Sequence, residues 1–219
     1  MSFLSRKLKQ CRKPAGWLGE VTARNMNSGH AKLTIWGLSH LPIQKDDIIL
    51  DVGCGGGATI GRLAQTAPDG KVYGIDYSES SLKVAEKVNK DLIEAGRVEL
   101  KQGSVSDLPY ADNTFNLITT IETYYFWPDM VAYMREMRRV LKPEGNMAII
   151  AGAYKGGQYD ARNLRWIKED NLAYYSEKEM GEMLYEAGFV DVQVYTDFQH
   201  GWICGIGIKA APKRKLLNV

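Results

Sequence analysis

One stretch constrains this chain more than any other: Ile48-Ile49-Leu50-Asp51-Val52-Gly53-Cys54-Gly55-Gly56-Gly57-Ala58. Ile48 to Val52 is a short apolar run, suited to a strand buried on both faces of a parallel sheet. Four glycines among the next five residues allow a sharp turn and let a ligand touch backbone with no Cβ in the way. The run from Ala58 to Ala64 then opens a helix whose first N–H groups face that ligand. Asp51 puts an acid just ahead of the loop. A phosphate has little use for a carboxylate there, whereas a ligand carrying an amine or a positive charge does.

The chain after this loop alternates. Pro68-Asp69-Gly70 is a turn, and Lys71 to Ile75 reads as a second strand ending in Asp76. Ser78 caps a helix with Leu82, Ala85, Val88 and Leu92 on its apolar face, and Gly96 stops it. Val98 to Leu100 and Phe115 to Thr119 read as strands, with the region from Gln102 to Asn113 left without a clear helix. Met130, Met134, Met137 and Leu141 mark a core helix, and Lys142-Pro143-Glu144-Gly145 turns into a fifth strand, Met147 to Ala151. Such alternation specifies a doubly wound parallel α/β sheet. The tail departs from it. Ser176 and Glu179 form a capping box for a helix stopped by Gly188. Two strands follow, Val190 to Val194 and Trp202 to Ile208, and their link is too short for a parallel crossover, so they are antiparallel.

Two segments are not needed for the sheet. Residues 1–41 read as a helical arm or lid, in which Asn27 or Ser28 caps a helix carrying Leu33, Trp36, Gly37 and Leu41, ended by Pro42. Residues 42–219 form one domain, with a long irregular insertion at about 152–175. Both segments are rich in aromatic residues (Trp17, Trp36, Tyr154, Tyr159, Trp166, Tyr174, Tyr175), which suits a cover over an otherwise open crevice. At 219 residues with 45% apolar and 25% charged content, the chain suits a single soluble domain. A net charge of +2 gives no reason to expect nucleic acid as a bulk partner. The basic residues gathered at the two ends read either as solvated tails or as a rim for an acidic substrate. Cys11, Cys54 and Cys204 have no metal-ligand spacing, and no metal site is expected. Reduced thiols, with no hydrophobic leader and no run of membrane-spanning length, point to a cytoplasmic protein.

The glycine loop by itself leaves the ligand open. Gly53-Cys54-Gly55-Gly56-Gly57-Ala58 also satisfies the G-x-G-x-x-A form of the dinucleotide fingerprint. Asp76, nineteen residues after Gly57, suits a ribose diol, which nicotinamide and adenosyl ligands share. It also suits a turn before Ser78.

Four stretches together carry a resemblance. Asp51-Val52-Gly53-Cys54-Gly55-Gly56-Gly57 resembles the first motif of class I S-adenosylmethionine-dependent methyltransferases, and Val72 to Ser78 resembles their ribose-binding second strand. Leu108 to Asn116 resembles the segment leading into strand four, and Arg138 to Gly145 the turn into strand five. Within the class the chain looks most like small bacterial enzymes of quinone and other small-molecule methylation. The resemblance implies a Rossmann-like seven-stranded sheet of order 3-2-1-4-5-7-6 with the last strand antiparallel. It implies S-adenosylmethionine as methyl donor, S-adenosylhomocysteine as product, a small-molecule acceptor, and in-line displacement.

The same resemblance nominates residues. The backbone at Gly53, Cys54 and Gly55 lies along the methionine portion, and Asp51 reaches its amino group. Asp76 takes the ribose hydroxyls and Tyr77 packs on the adenine. Ser104 and Val105 stand where the family often has Asp-Ala at the adenine edge. Asn116, where Asp is common, is a structural departure. Ile121 and Glu122 end strand four near the methyl group, with Tyr124, Tyr125 and Trp127 as an acceptor pocket. His30 and Glu122 are the candidate catalytic groups. Two other readings of the loop stay open here: an NAD(P)-dependent oxidoreductase, and a non-catalytic S-adenosylmethionine-binding protein.

Overall fold

The computed structural model describes residues 16–212. At its centre lies β1 (Ile48–Val52), paired in parallel with β2 (Lys71–Asp76) on one side and β4 (Phe115–Ile121) on the other. β3 (Val98–Gln102) and β5 (Leu141–Ala151) extend the sheet in parallel, and β6 (Phe189–Asp197) and β7 (Trp202–Lys209) complete it. The order is 3-2-1-4-5-7-6. β7 runs antiparallel to both neighbours, and the short link before Trp202 requires this of the β6–β7 pair.

Eight helices of the described residues flank the sheet: α1 (Gly16–Gly29), α2 (Ala31–Leu38), α3 (Ala58–Thr66), α4 (Glu79–Val88), α5 (Lys90–Glu94), α6 (Met130–Val140), α7 (Asp160–Asp170) and α8 (Glu177–Glu186). The alternation of side chains along the strands sorts the core into layers. Leu50, Val52 and Ile118 face Met130, Met134 and Met137 of α6 and Met180 and Leu184 of α8. Ile49, Val72 and Leu117 face Ile60 and Leu63 of α3. Leu33 of α2 packs on Ile150, Cys204 and Ile206. Local signals are met where they were read. Ser78 accepts from the Ser81 N–H, and Ser176 and Glu179 cap α8 reciprocally.

Four expectations are corrected. Asn27 and Ser28 lie inside α1, so residues 16–41 hold two helices rather than one. The break falls at Gly29-His30, and α2 begins after His30 with no side-chain cap. The helix read from Leu82 to Leu92 breaks at Asn89, whose side-chain amide donates to Gly57 O (2.9 Å) and Ala85 O (3.0 Å); Val88 is exposed as a result. The stretch 152–175 is not irregular but contains α7, which Leu164 and Ile167 alone were too few to announce as a periodic face. The turn at Lys142 to Gly145 lies within β5, where the pairing with β4 shifts register and Glu144 takes a positive φ of 65°. Between β3 and β4 the chain is loop. Arg139 pins it by donating to Leu108 O (2.9 Å) and Tyr110 O (2.9 Å) while pairing with Glu136 and Asp112. Asn116 accepts from the Ile48 N–H and from Lys142 Nζ, a structural role. Among the described residues, no helix is long and apolar enough to cross a membrane.

Candidate active site

The loop after β1 is tied back to β2: the N–H groups of Gly53 (2.8 Å) and Cys54 (3.1 Å) both donate to Ile75 O. Its glycines serve different ends. A Cβ at Gly57 (φ +79°) would come within 2.7 Å of Ala85 Cβ, so this position lets α3 and α4 approach. A Cβ at Gly55 (φ +52°) would meet nothing within 4 Å. That backbone faces open space, and a ligand can lie directly on it.

Two buried acids bracket the loop. Asp51 is 2% exposed, and its Oδ1 accepts from Thr119 Oγ1 at 2.7 Å. Burial pushes its carboxyl up to about 7; the Thr119 hydrogen bond opposes this and the neighbouring Asp76 adds to it. Asp76 accepts from the Gly55 N–H (2.9 Å) and the Ser78 N–H (2.8 Å). Burial raises it too, against those two bonds. Cys54 lies buried near both carboxylates; burial first, then Asp76 and Asp51, hold its thiol protonated. The pit favours a ligand that brings positive charge.

A cavity of about 330 Å³ runs over Gly53 and Gly55, past Asp76 and Tyr77 to Ser104 and Val105. Ile121, Glu122, Phe126, Trp127 and Tyr133 close its other side, with Ala23 of α1. A second cavity of about 50 Å³ shares Gly53, Gly55 and Ile121 with it and is walled by Asp51, Cys54, His30, Thr34 and Arg62. The residues named from the sequence for the donor side, and His30, Glu122 and Trp127 with them, therefore line two cavities that share Gly53, Gly55 and Ile121 in their walls.

Tyr124 and Tyr125 do not. Both are buried in the core, where the Tyr124 hydroxyl donates to Ala153 O (2.8 Å) and the Tyr125 hydroxyl to Glu122 Oε1 (3.1 Å). The 3₁₀ turn Tyr124–Phe126 swings these two rings under the strand ends and presents Phe126 and Trp127 to the cavity instead. None of the residues lining either cavity comes from 152–175. That insertion packs into the main core through Ala153, Tyr154 and Ile167 and is tied within itself by the Tyr174 hydroxyl, which donates to Tyr154 O at 2.7 Å. Sequence reasoning also missed Ala23, Tyr133 and Arg62; Tyr133 sits beside the methionine stripe, and only its place next to Met134 hints at the site.

Glu122 holds three elements together. It adopts φ 60°, costly for a residue with a Cβ, and its N–H donates to Ile150 O (2.9 Å). Its Oε1 accepts from the Gly152 N–H and from Tyr125, while Oε2 lies 3.9 Å from His30 Nε2. The ends of β4 and β5 and the α1–α2 junction thus meet on one carboxylate.

Residues 43–188 match a family model described as a methyltransferase domain. The chain belongs to that family. This methyltransferase is 32% identical over 181 residues to the demethylmenaquinone methyltransferase of Geobacillus kaustophilus, a match covering 72% of this chain and 76% of that protein. It is 33% identical over 168 residues to the demethylmenaquinone methyltransferase of Bacillus mycoides, covering 66% and 70%. In fold it resembles a SAM-dependent methyltransferase from Aquifex aeolicus, with a TM-score of 0.69 at 24% identity over 86% of this chain and 97% of the other. Family and fold make it a class I S-adenosylmethionine-dependent methyltransferase. Of the readings open for the glycine loop, methyl transfer is the one they support.

Proposed function

We propose that this methyltransferase binds S-adenosylmethionine across the two cavities beside the glycine loop and methylates a small aromatic acceptor of the quinone type. The observation that carries the donor side is the open face of Gly55 between two buried acids. Asp51 meets the donor's ammonium and Asp76 its ribose hydroxyls, with Tyr77, Ser104 and Val105 around the adenine. The bound donor supplies a methyl group on a positively charged sulfur, and that charge is lost on transfer. The protein's part is to hold the donor, exclude water and aim the acceptor. Phe126, Trp127 and Tyr133 offer flat apolar surface to a ring, and the relatives named as demethylmenaquinone methyltransferases support a ring acceptor.

At the methyl end, Glu122 already accepts two hydrogen bonds on one oxygen. It orients His30 more readily than it takes a proton itself, which leaves His30 to accept one from the acceptor. Residues 16–41 act as the cover over this end: Ala23 stands over the larger cavity and His30 and Thr34 over the smaller.

Calorimetric titration with S-adenosylmethionine and with NAD tests the donor assignment, and binding of NAD alone would remove it. Methyl transfer to a series of demethylated quinols tests the acceptor class. With an active acceptor, His30→Ala or Glu122→Ala is expected to lower turnover by ~10²–10⁴-fold at nearly unchanged donor affinity. Full turnover in both would leave positioning and desolvation as the whole mechanism. Amide exchange in residues 16–41 should slow when donor binds, and equal exchange with and without donor would remove the cover.

A further inference from the structure

We infer that Tyr125 is a positioning residue for methyl transfer: its buried hydroxyl fixes the Glu122 carboxylate and, through it, His30. This rests on the reading of Glu122 as the group that orients His30, and names what holds Glu122 in place.

Glu122 needs holding. Its φ of 60° persists in a residue with a Cβ only where the surroundings over-determine it. The carboxylate has two anchors, the Gly152 N–H and the Tyr125 hydroxyl, and both fall on Oε1. That leaves Oε2 turned toward His30 Nε2 at 3.9 Å. One donor alone would let the carboxylate turn about that bond. The second removes the freedom. A proton held on Nε2, facing the carboxylate, leaves Nδ1 with the lone pair that takes the acceptor's proton.

The direction of the Tyr125 bond follows from its partners. The hydroxyl oxygen accepts from the Ala153 N–H at 2.9 Å. Its own proton can go to Glu122 Oε1 at 3.1 Å or to Ala153 O at 3.4 Å. Ala153 O already accepts from the Tyr124 hydroxyl at 2.8 Å, and a carboxylate is the stronger acceptor. Burial first, then Glu122, push the Tyr125 hydroxyl well above its ordinary range, so it keeps the proton it donates.

The 152–175 segment lines neither cavity, yet its backbone grips Tyr125 at both ends. The Ala153 N–H meets the hydroxyl, and the Ala173 N–H donates to Tyr125 O at 2.8 Å. Tyr125 thus gives that segment a route to the methyl end. Tyr124 is the internal contrast. It is equally part of the core, but its hydroxyl goes to Ala153 O rather than to Glu122.

The test compares Tyr125→Phe with Tyr124→Phe in the full chain, with S-adenosylmethionine as donor and a demethylated quinol as acceptor. Tyr125→Phe should lower kcat by about 10–100-fold, the factor that a hydrogen bond to a charged group is worth, at nearly unchanged KM for the donor. Tyr124→Phe should keep turnover near that of the wild type. In a Glu122→Gln background, Tyr125→Phe should add little further loss. Without any acceptor, nuclear magnetic resonance of the isotope-labelled His30 ring should show the proton on Nε2 in the wild type and in Tyr124→Phe, and should lose that bias in Tyr125→Phe. Full turnover in Tyr125→Phe while Glu122→Gln is slow overturns the positioning role and leaves that of Glu122 standing. Equal losses in the two tyrosine variants with unmoved His30 signals also overturn it. Full turnover in Glu122→Gln removes both readings.

Discussion

Donor affinity should rise with pH because of Asp51. Its carboxyl is pushed up to about 7 by burial, so near pH 6 roughly nine-tenths of it is protonated in the free protein. An ammonium seated beside it favours the carboxylate, and binding then expels a proton. Below pH 7 affinity should climb about ten-fold per pH unit and flatten above it. Calorimetry in two buffers of different ionisation enthalpy should count close to one proton released near pH 6. Asp76 and Cys54 face the same loop and are also raised by burial, so Asp51→Asn is the control that isolates the effect, and it should flatten the profile. The free protein should show the opposite sign. The folded pKa lies above the unfolded value of 3.8, so folding takes up a proton in that window, and stability falls as pH rises from about 4 through about 7. Asp51→Asn should therefore stabilise the free protein at pH 8, by an amount on the order of 1–4 kcal/mol, while weakening donor binding. A flat affinity profile from pH 5.5 to 8 with no proton released would falsify the reasoning.

Three further outcomes are expected. Asp76→Ala should weaken binding of S-adenosylmethionine by ~1–3 kcal/mol through the unmet ribose hydroxyls, and unchanged affinity would remove that assignment. Gly55→Val should leave a cooperative thermal transition but abolish donor binding, because its side chain would project into the open face of the loop; normal binding would mean that the glycine serves the turn alone. Asn89→Ala removes the donors to Gly57 O and Ala85 O and should cost ~1–3 kcal/mol in denaturant unfolding, with no loss indicating that water replaces both bonds.

What was legible in the sequence was what local physics decides. The run Ile48 to Val52, the glycines after it, the caps at Ser78 and Ser176 and the methionine stripe at Met130, Met134 and Met137 each act within a few residues, through burial period, backbone freedom or one capping bond. The short link before Trp202 decided a strand direction because chain length alone forbids the crossover. The family motifs then carried the strand order.

Tertiary structure decided what depends on partners far away in the chain. Asn89 interrupts a helical pattern because the carbonyl of Gly57 lies within reach of its amide. Tyr124 and Tyr125 leave the cavity to Phe126 and Trp127 because Ala153 and Glu122 receive their hydroxyls. His30 gains meaning only from Glu122, some ninety residues on. Such contacts have no period and no fixed spacing. They exist once strand order brings the ends of β1, β4 and β5 together, and the sequence read along its length holds no local signal for them.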